Sequence, residues 1–129
     1  GCLSMHGDRY GVVVADGLAL MRAGLSALIR AEPDLEVLGQ AADGAEAVRL
    51  YLRLRPHVLL LDLALPAADG VSVIRDVLAA DRRARPLVLT TCDGDQDISR
   101  ALKAGARGYL LKDAPPDEVL AAVRAVAAG

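Results

Sequence analysis

Four short apolar runs, each ending in a polar residue, set the tightest limit on what this chain can fold into. Val12-Val13-Val14-Ala15 ends in Asp16, Val58-Leu59-Leu60-Leu61 in Asp62, Leu87-Val88-Leu89 in Thr90, and Tyr109-Leu110-Leu111 in Lys112. Unbroken runs of Val and Leu separated by helix-length segments mark parallel strands covered on both faces, because a half-solvated strand would alternate apolar with polar residues. Parallel strands deliver all their carboxyl ends to one edge, and ligands of such sheets bind beyond that edge. Two carboxylates, a hydroxyl and an ammonium are therefore expected in one pocket.

The length of 129 residues suits one domain, assigned to residues 9–129. A chain of this size buries roughly two-thirds of its unfolded surface without metals or disulfides. Aromatic residues are only 2% of the chain, with no Phe or Trp. The core must be filled by Leu, Val, Ile and Ala, and a base-stacking platform is excluded for want of rings. The formal net charge is -2, and the 13 Arg and 2 Lys are scattered along the sequence rather than run together. Strong nucleic-acid binding by this chain alone is not expected, since that needs a basic stripe. Cys2 and Cys92 fit no metal-ligand spacing and no disulfide framework, which favours a reducing, cytoplasmic setting. The apolar runs are far too short for a membrane span, and residues 1–8 lack the apolar stretch of a signal peptide. Those eight residues read as a disordered leader or an expression remnant, with Met5 as a natural start.

Helical spacing of Met21, Leu25, Leu28 and Ile29 follows the first strand and is broken by Pro33-Asp34. Leu35 to Ala41 reads as a weak strand, with Leu35, Val37 and Gly39 alternating with Glu36 and Leu38. A second helix opens after Asp43-Gly44, carries Ala45, Val48, Tyr51 and Leu52 on one face, and stops before Pro56. After the Asp62 strand comes a turn through Pro66 and Asp69-Gly70, then a third helix with Val71, Ile74 and Leu78. Asp93, Asp95 and Asp97 open a fourth helix carrying Ile98, Ala101 and Leu102, where the helix dipole favours negative charge. Gly105 ends it and Gly108 opens the last strand. Pro115-Pro116-Asp117-Glu118 starts a fifth helix bearing Val119, Leu120, Val123 and Val126. Five strand-helix units with right-handed crossovers place helices on both faces of the sheet.

Among single residues, Asp62 carries the sharpest signal: four apolar residues precede it, and Leu63-Ala64-Leu65-Pro66 follows. A charge at such depth needs a cation or a chemical role. Lys112 has the same profile, so a structural ion pair between the two is one reading and a reactive centre the other. Asp93-x-Asp95-x-Asp97 imitates the opening of a calcium loop, but Ile98 and Ala104 stand where the glycine and the bidentate glutamate belong. The acids are read as helix caps. There is no glycine-rich nucleotide loop, and neither His6 nor His57 is placed to activate a nucleophile. Cys92 reads as a small filler beside the site.

These residues resemble the receiver domain of bacterial two-component response regulators, of the subgroup whose members carry a helix-turn-helix DNA-binding output domain. The likeness rests on Pro56-His57-Val58-Leu59-Leu60-Leu61-Asp62-Leu63 with Pro66 and Asp69-Gly70, and on Ala101-Leu102-Lys103-Ala104-Gly105 through Gly108-Tyr109-Leu110-Leu111-Lys112-Asp113. It covers about Tyr10 to Gly129. The resemblance implies an α/β, flavodoxin-like fold: a five-stranded parallel sheet in order 2-1-3-4-5 flanked by five helices. It makes Asp62 the phosphoacceptor, which attacks the phosphorus of a phosphohistidine on a sensor histidine kinase. Lys112 and Thr90 would bind phosphoryl oxygens, and Tyr109 would be the ring that turns inward when Thr90 moves. Asp16, Asp62 and the Ala64 backbone carbonyl would hold magnesium. It further implies a homodimer, DNA contact only through an output domain that this chain lacks, and no enzyme activity on outside molecules.

One departure bears on the chemistry. The family usually has two adjacent acids after the first strand, and here Asp16 is followed by Gly17. By that alignment the missing acid is the direct magnesium ligand, so the metal should bind weakly or not at all and phosphorylation of Asp62 should be slow or absent. The alternatives are a pseudo-receiver controlled by a ligand or by dimerisation without phosphorylation, and a flavodoxin-like small-molecule binding module.

Overall fold

The computed structural model describes residues 9–66, 69–91 and 95–129, and of Asp95 the backbone alone. The leader assigned to residues 1–8, Cys2, His6, Cys92 and Asp93 lie outside the described residues. Strands and helices alternate as β1 (Tyr10–Ala15), α1 (Ala19–Arg30), β2 (Leu35–Ala41), α2 (Gly44–Leu54), β3 (Val58–Asp62), α3 (Gly70–Ala80), β4 (Pro86–Thr90), α4 (Asp95–Ala104), β5 (Gly108–Leu111) and α5 (Pro116–Ala128). The strands form one sheet in the order β2-β1-β3-β4-β5, and every pairing is parallel. The expected α/β architecture with order 2-1-3-4-5 is the one observed.

The continuous apolar runs are explained by burial from both sides. On one face Val12, Val14, Leu60 and Leu89 pack with Leu25 and Ile29 of α1 and Leu120 and Val123 of α5. On the other, Val13, Leu59, Leu61 and Val88 pack with Ala47 and Tyr51 of α2, Val71, Ile74 and Val77 of α3, and Ala101 of α4. The three central strands β1, β3 and β4 are thus buried almost throughout, as their composition requires.

Expectation and structure part at three places. The inward face of α2 is made by Gly44, Ala47 and Tyr51, while Ala45 and Leu52 are exposed, so the face is rotated by about one residue from the one expected. On α4, Ala101 is buried but Leu102 is exposed. In β2 the alternation breaks. The register against β1 shifts between Val12 and Val13, which pair with Val37 and Gly39, so Leu38 is an extra residue. Leu35 and Val37 consequently pack on the α1/α5 side, whereas Ala41 faces the α2 side. A bulge of this kind moves every later side chain to the other face.

Loop chemistry then sets the upper edge. Asp43 and Asp69 cap α2 and α3, accepting from the backbone N–H of Glu46 and Ser72, each at 2.8 Å. At the opposite edge Gly105 ends α4 at φ 123, a left-handed conformation that glycine adopts at least cost.

Candidate functional site

The carboxyl ends of β1, β3, β4 and β5 meet at one rim, and Asp16, Asp62, Thr90 and Lys112 stand on it. Strand pairing fixes their positions: Leu63 N–H donates to the Leu89 carbonyl at 3.1 Å, Lys112 N–H to Thr90 at 2.9 Å, and Asp16 N–H to Ala41 at 3.0 Å. The Lys112 ammonium lies 2.8 Å from Asp16 Oδ2 and 3.0 Å from Asp62 Oδ2. The Asp62 contact is an aligned hydrogen bond. The Asp16 contact is the shorter of the two ion pairs.

All three charges are withdrawn from water, Asp16 completely. Burial alone would lower the lysine pKa, yet the two carboxylates outweigh it and hold the ammonium above its ordinary value. Lys112 is thus a fixed cation. The other oxygens are also engaged: Asp16 Oδ1 accepts from Leu18 N–H at 2.8 Å, and Asp62 Oδ1 from Ala64 N–H at 3.1 Å. The Asp16 bond serves the start of α1, where Leu18 offers no capping side chain.

Asp62 stands between two shallow pockets. One, of 280 Å³, is lined by Asp62, Asp69, Thr90, Thr91, Asp97 and Arg100. The other, of 290 Å³, is lined by Gly17, Leu18, Ala64, Pro66 and Lys112, again with Asp62. The backbone behind Asp62 depends on Gly70, whose N–H donates to the Leu63 carbonyl at 2.9 Å. A Cβ at Gly70 would lie 2.7 Å from Leu63 Cα and 3.0 Å from the Asp62 carbonyl oxygen, so only glycine lets α3 start this close behind Asp62.

Of the residues singled out by sequence, the structure brings together Asp16, Asp62, Ala64, Thr90 and Lys112. Tyr109 is set apart: it pairs with Val88, short of the strand end, and its side chain is 51% exposed. Two participants, Arg22 and Arg100, were not anticipated, and Pro66, expected as the turn after Asp62, takes a further part. Arg22 Nη1 donates to the Asp16 carbonyl at 2.7 Å and ties α1 to the rim. Pro66 packs over Gly17, where a Cβ would come within 2.8 Å of Pro66 Cδ. Arg100 reaches the Thr90 side of the pocket from α4, beside Asp97 at 3.7 Å. Only the Arg100–Asp97 spacing carried a signal, the i,i+3 step of one helix face.

As a magnesium cradle the residues fit poorly. Two carboxylates share one ammonium, Gly17 offers no side chain, and Pro66 occupies the space one would need. No cluster of three or more His, Cys, Asp or Glu side chains suited to a metal occurs among the described residues. Octahedral oxygen ligation of magnesium would need the Ala64 carbonyl and several waters.

Comparison with known proteins follows the same lines. The model of the response regulator receiver domain matches residues 12–124. The transcriptional regulatory protein YxjL of Bacillus subtilis is 36% identical over 125 residues, 97% of this chain and 57% of that protein. LiaR of the same organism is 36% identical over 118 residues, 92% of this chain and 56% of its own length. The chain therefore spans little more than half the length of these curated relatives. Among solved structures, the signal receiver domain of the response regulator NarL from Mycobacterium tuberculosis superposes with a TM-score of 0.91 at 34% identity, covering 95% of this chain and 98% of that one. No helix among the described residues is long and apolar enough to cross a membrane. With the sheet order, the buried rim and these matches in agreement, the chain belongs to the response regulator receiver domain family.

Proposed function

We propose that this receiver accepts a phosphoryl group on Asp62 and that its metal support is weak. The observation that carries the reading is the Lys112 ammonium, fixed 3.0 Å from Asp62 Oδ2 and shared with Asp16. In the transfer, an Asp62 oxygen attacks the phosphorus of a phosphohistidine on a sensor kinase. The P–N bond breaks as the P–O bond forms, and the imidazole leaves with the bonding pair. Lys112 neutralises a phosphoryl oxygen and the Thr90 hydroxyl donates to another. Catalysis of this kind rests on positioning and charge neutralisation, both of which the rim supplies without covalent help.

Magnesium, when held by Asp16, Asp62 and the Ala64 carbonyl, would add charge neutralisation that Lys112 alone cannot match. Its poor cradle makes phosphorylation slow. Downstream, Thr90 and the exposed Tyr109 select between two packings, and homodimerisation then controls an output domain that binds DNA and regulates transcription, as the names of the relatives suggest. A second reading, a pseudo-receiver switched without phosphate, is favoured by the Lys112 bridge itself, which already neutralises the acceptor at rest.

Intact mass after incubation with acetyl phosphate, with and without magnesium, tests the proposal. Slow, single labelling lost in Asp62→Asn and little changed by magnesium is the expected result. Rapid labelling at ordinary magnesium affinity would overturn the weak-metal reading, and no labelling under any condition would leave the phosphate-free switch.

A further inference from the structure

At the opposite edge of the sheet, where the strands begin, Arg55, Arg83 and Arg85 line one open pocket of 480 Å³ with Tyr51, His57 and Asp81. Arg55 comes from the connection between α2 and β3, and Arg83 and Arg85 from that between α3 and β4. Arg55 follows α2 in a left-handed conformation, φ 47, and is the only non-glycine residue with positive φ among the described residues. Such backbone strain at a bulky residue is retained where the surroundings over-determine it, often at binding sites. Arg83 stands in the turn before β4, its backbone N–H bonded to Asp81 Oδ1 at 3.0 Å and its side chain exposed. Arg85 donates through Nη1 to the Ala127 carbonyl at 2.8 Å, but its buried Nε has no partner among the described residues.

The pocket has more donors than acceptors. Asp81 is its single carboxylate among the described residues and is fully engaged, by Tyr51 Oη at 2.8 Å and Arg55 Nη1 at 3.1 Å besides the Arg83 amide. His57 Nδ1 accepts from Gly11 N–H at 2.9 Å, which leaves the proton of the neutral ring on Nε2. Three guanidiniums against one carboxylate leave two positive charges uncompensated, and the orphaned Arg85 Nε is a buried donor short of an acceptor.

We propose that this pocket is a binding site for a phosphate-bearing small anion. A phosphate group carries close to two negative charges and several acceptor oxygens, matching the two surplus guanidiniums, whose planar forks suit it. The volume falls within the range of small-ligand pockets, about 300–1,000 Å³, and exceeds what one phosphate needs. A bound anion would brace the ends of α2 and α5 against the start of β4, far from the Asp62 rim.

The intact chain is titrated at fixed ionic strength with inorganic phosphate, inorganic diphosphate and adenosine diphosphate, by calorimetry and by backbone amide shifts. Saturable one-to-one binding with shifts at Gly11, Arg83 and Arg85 is expected, weakened at least tenfold in Arg83→Gln and unchanged in Arg30→Gln, which removes a charge outside the pocket. Arg85→Lys keeps the charge but removes the fork, and should weaken binding without altering the fold by circular dichroism. Tighter binding of adenosine diphosphate than of diphosphate assigns a nucleotide, and equal binding assigns the free anion. Absence of saturable binding for all three, equal loss in Arg83→Gln and Arg30→Gln, shifts confined to Ala64 and Lys112, or binding to duplex DNA alone would overturn the site.

Discussion

The two edges of the sheet solve opposite electrostatic problems. At the rim, one buried ammonium serves two buried carboxylates, and the charges are closed off from solvent. At the floor, three guanidiniums gather around one carboxylate in an open pocket. The difference follows from the parallel sheet itself. Every helix begins near the rim and ends near the floor, so acids such as Asp43, Asp69 and Asp117 collect at helix starts while Arg30, Arg53 and Arg55 collect at helix ends, as the dipoles favour. Polarity of charge is thus built into the fold before any function is asked of it, and at the rim a single ammonium offsets only part of the acid charge.

If that contrast is right, removing a charge should be costly above and cheap below. Lys112→Met leaves two buried carboxylates without a cation and should lose about 3–5 kcal/mol by urea unfolding. A loss under ~1 kcal/mol would show that water already reaches the rim and would erase the contrast. Asp81→Asn, which withdraws the acceptor shared by Tyr51 and Arg55, should cost about 1–2 kcal/mol. Its pH signature is distinctive. The Tyr51 hydrogen bond, with the Arg83 amide and Arg55, holds the Asp81 carboxyl below its ordinary 3.8, so its stabilisation is complete above that pH and is lost as pH falls through the folded-state value. Asp81→Asn should therefore flatten the acid limb of the stability curve. Lys112 works at the other end: its raised pKa keeps its contribution intact below 10.5 and loses it only in stronger alkali.

Two smaller effects sharpen the comparison. Gly17→Asp restores an acid to the rim and should raise magnesium affinity about tenfold, equivalent to roughly 1.4 kcal/mol, by calorimetric titration. The Pro66 ring must shift to admit it, and unchanged affinity would mean that Lys112, rather than the residue at position 17, sets the affinity for the metal. Arg83→Gln, an exposed change at the floor, should alter stability by less than about 0.5 kcal/mol in the same urea assay.

The rim was legible in the sequence because one physical fact, parallel pairing, carries four distant strand ends to one place. Asp16, Asp62, Thr90 and Lys112 needed nothing more than their positions after apolar runs. Tyr109 was harder. Its neighbour Leu110 turns to the α1/α5 core, so the tyrosine faces the other way on a four-residue edge strand and remains exposed. The α2 face was misjudged because Ala and Gly carry little periodic signal: Gly44 and Ala47 lie inside, while Leu52 is outside. The floor was not legible at all. Arg55, Arg83 and Arg85 read as scattered charge along the chain and become a cluster only when the turns before β3 and β4 are set side by side.

The extra residue at Leu38 has a consequence beyond the packing of β2. This strand borders the sheet, and a straight border with free amides and carbonyls invites another molecule to add a strand of its own. The slip between Val12 and Val13 puts a kink in that border, so a second copy could keep step with only a few residues before losing register. A defect in one ladder thereby helps to keep neighbouring molecules from zipping together.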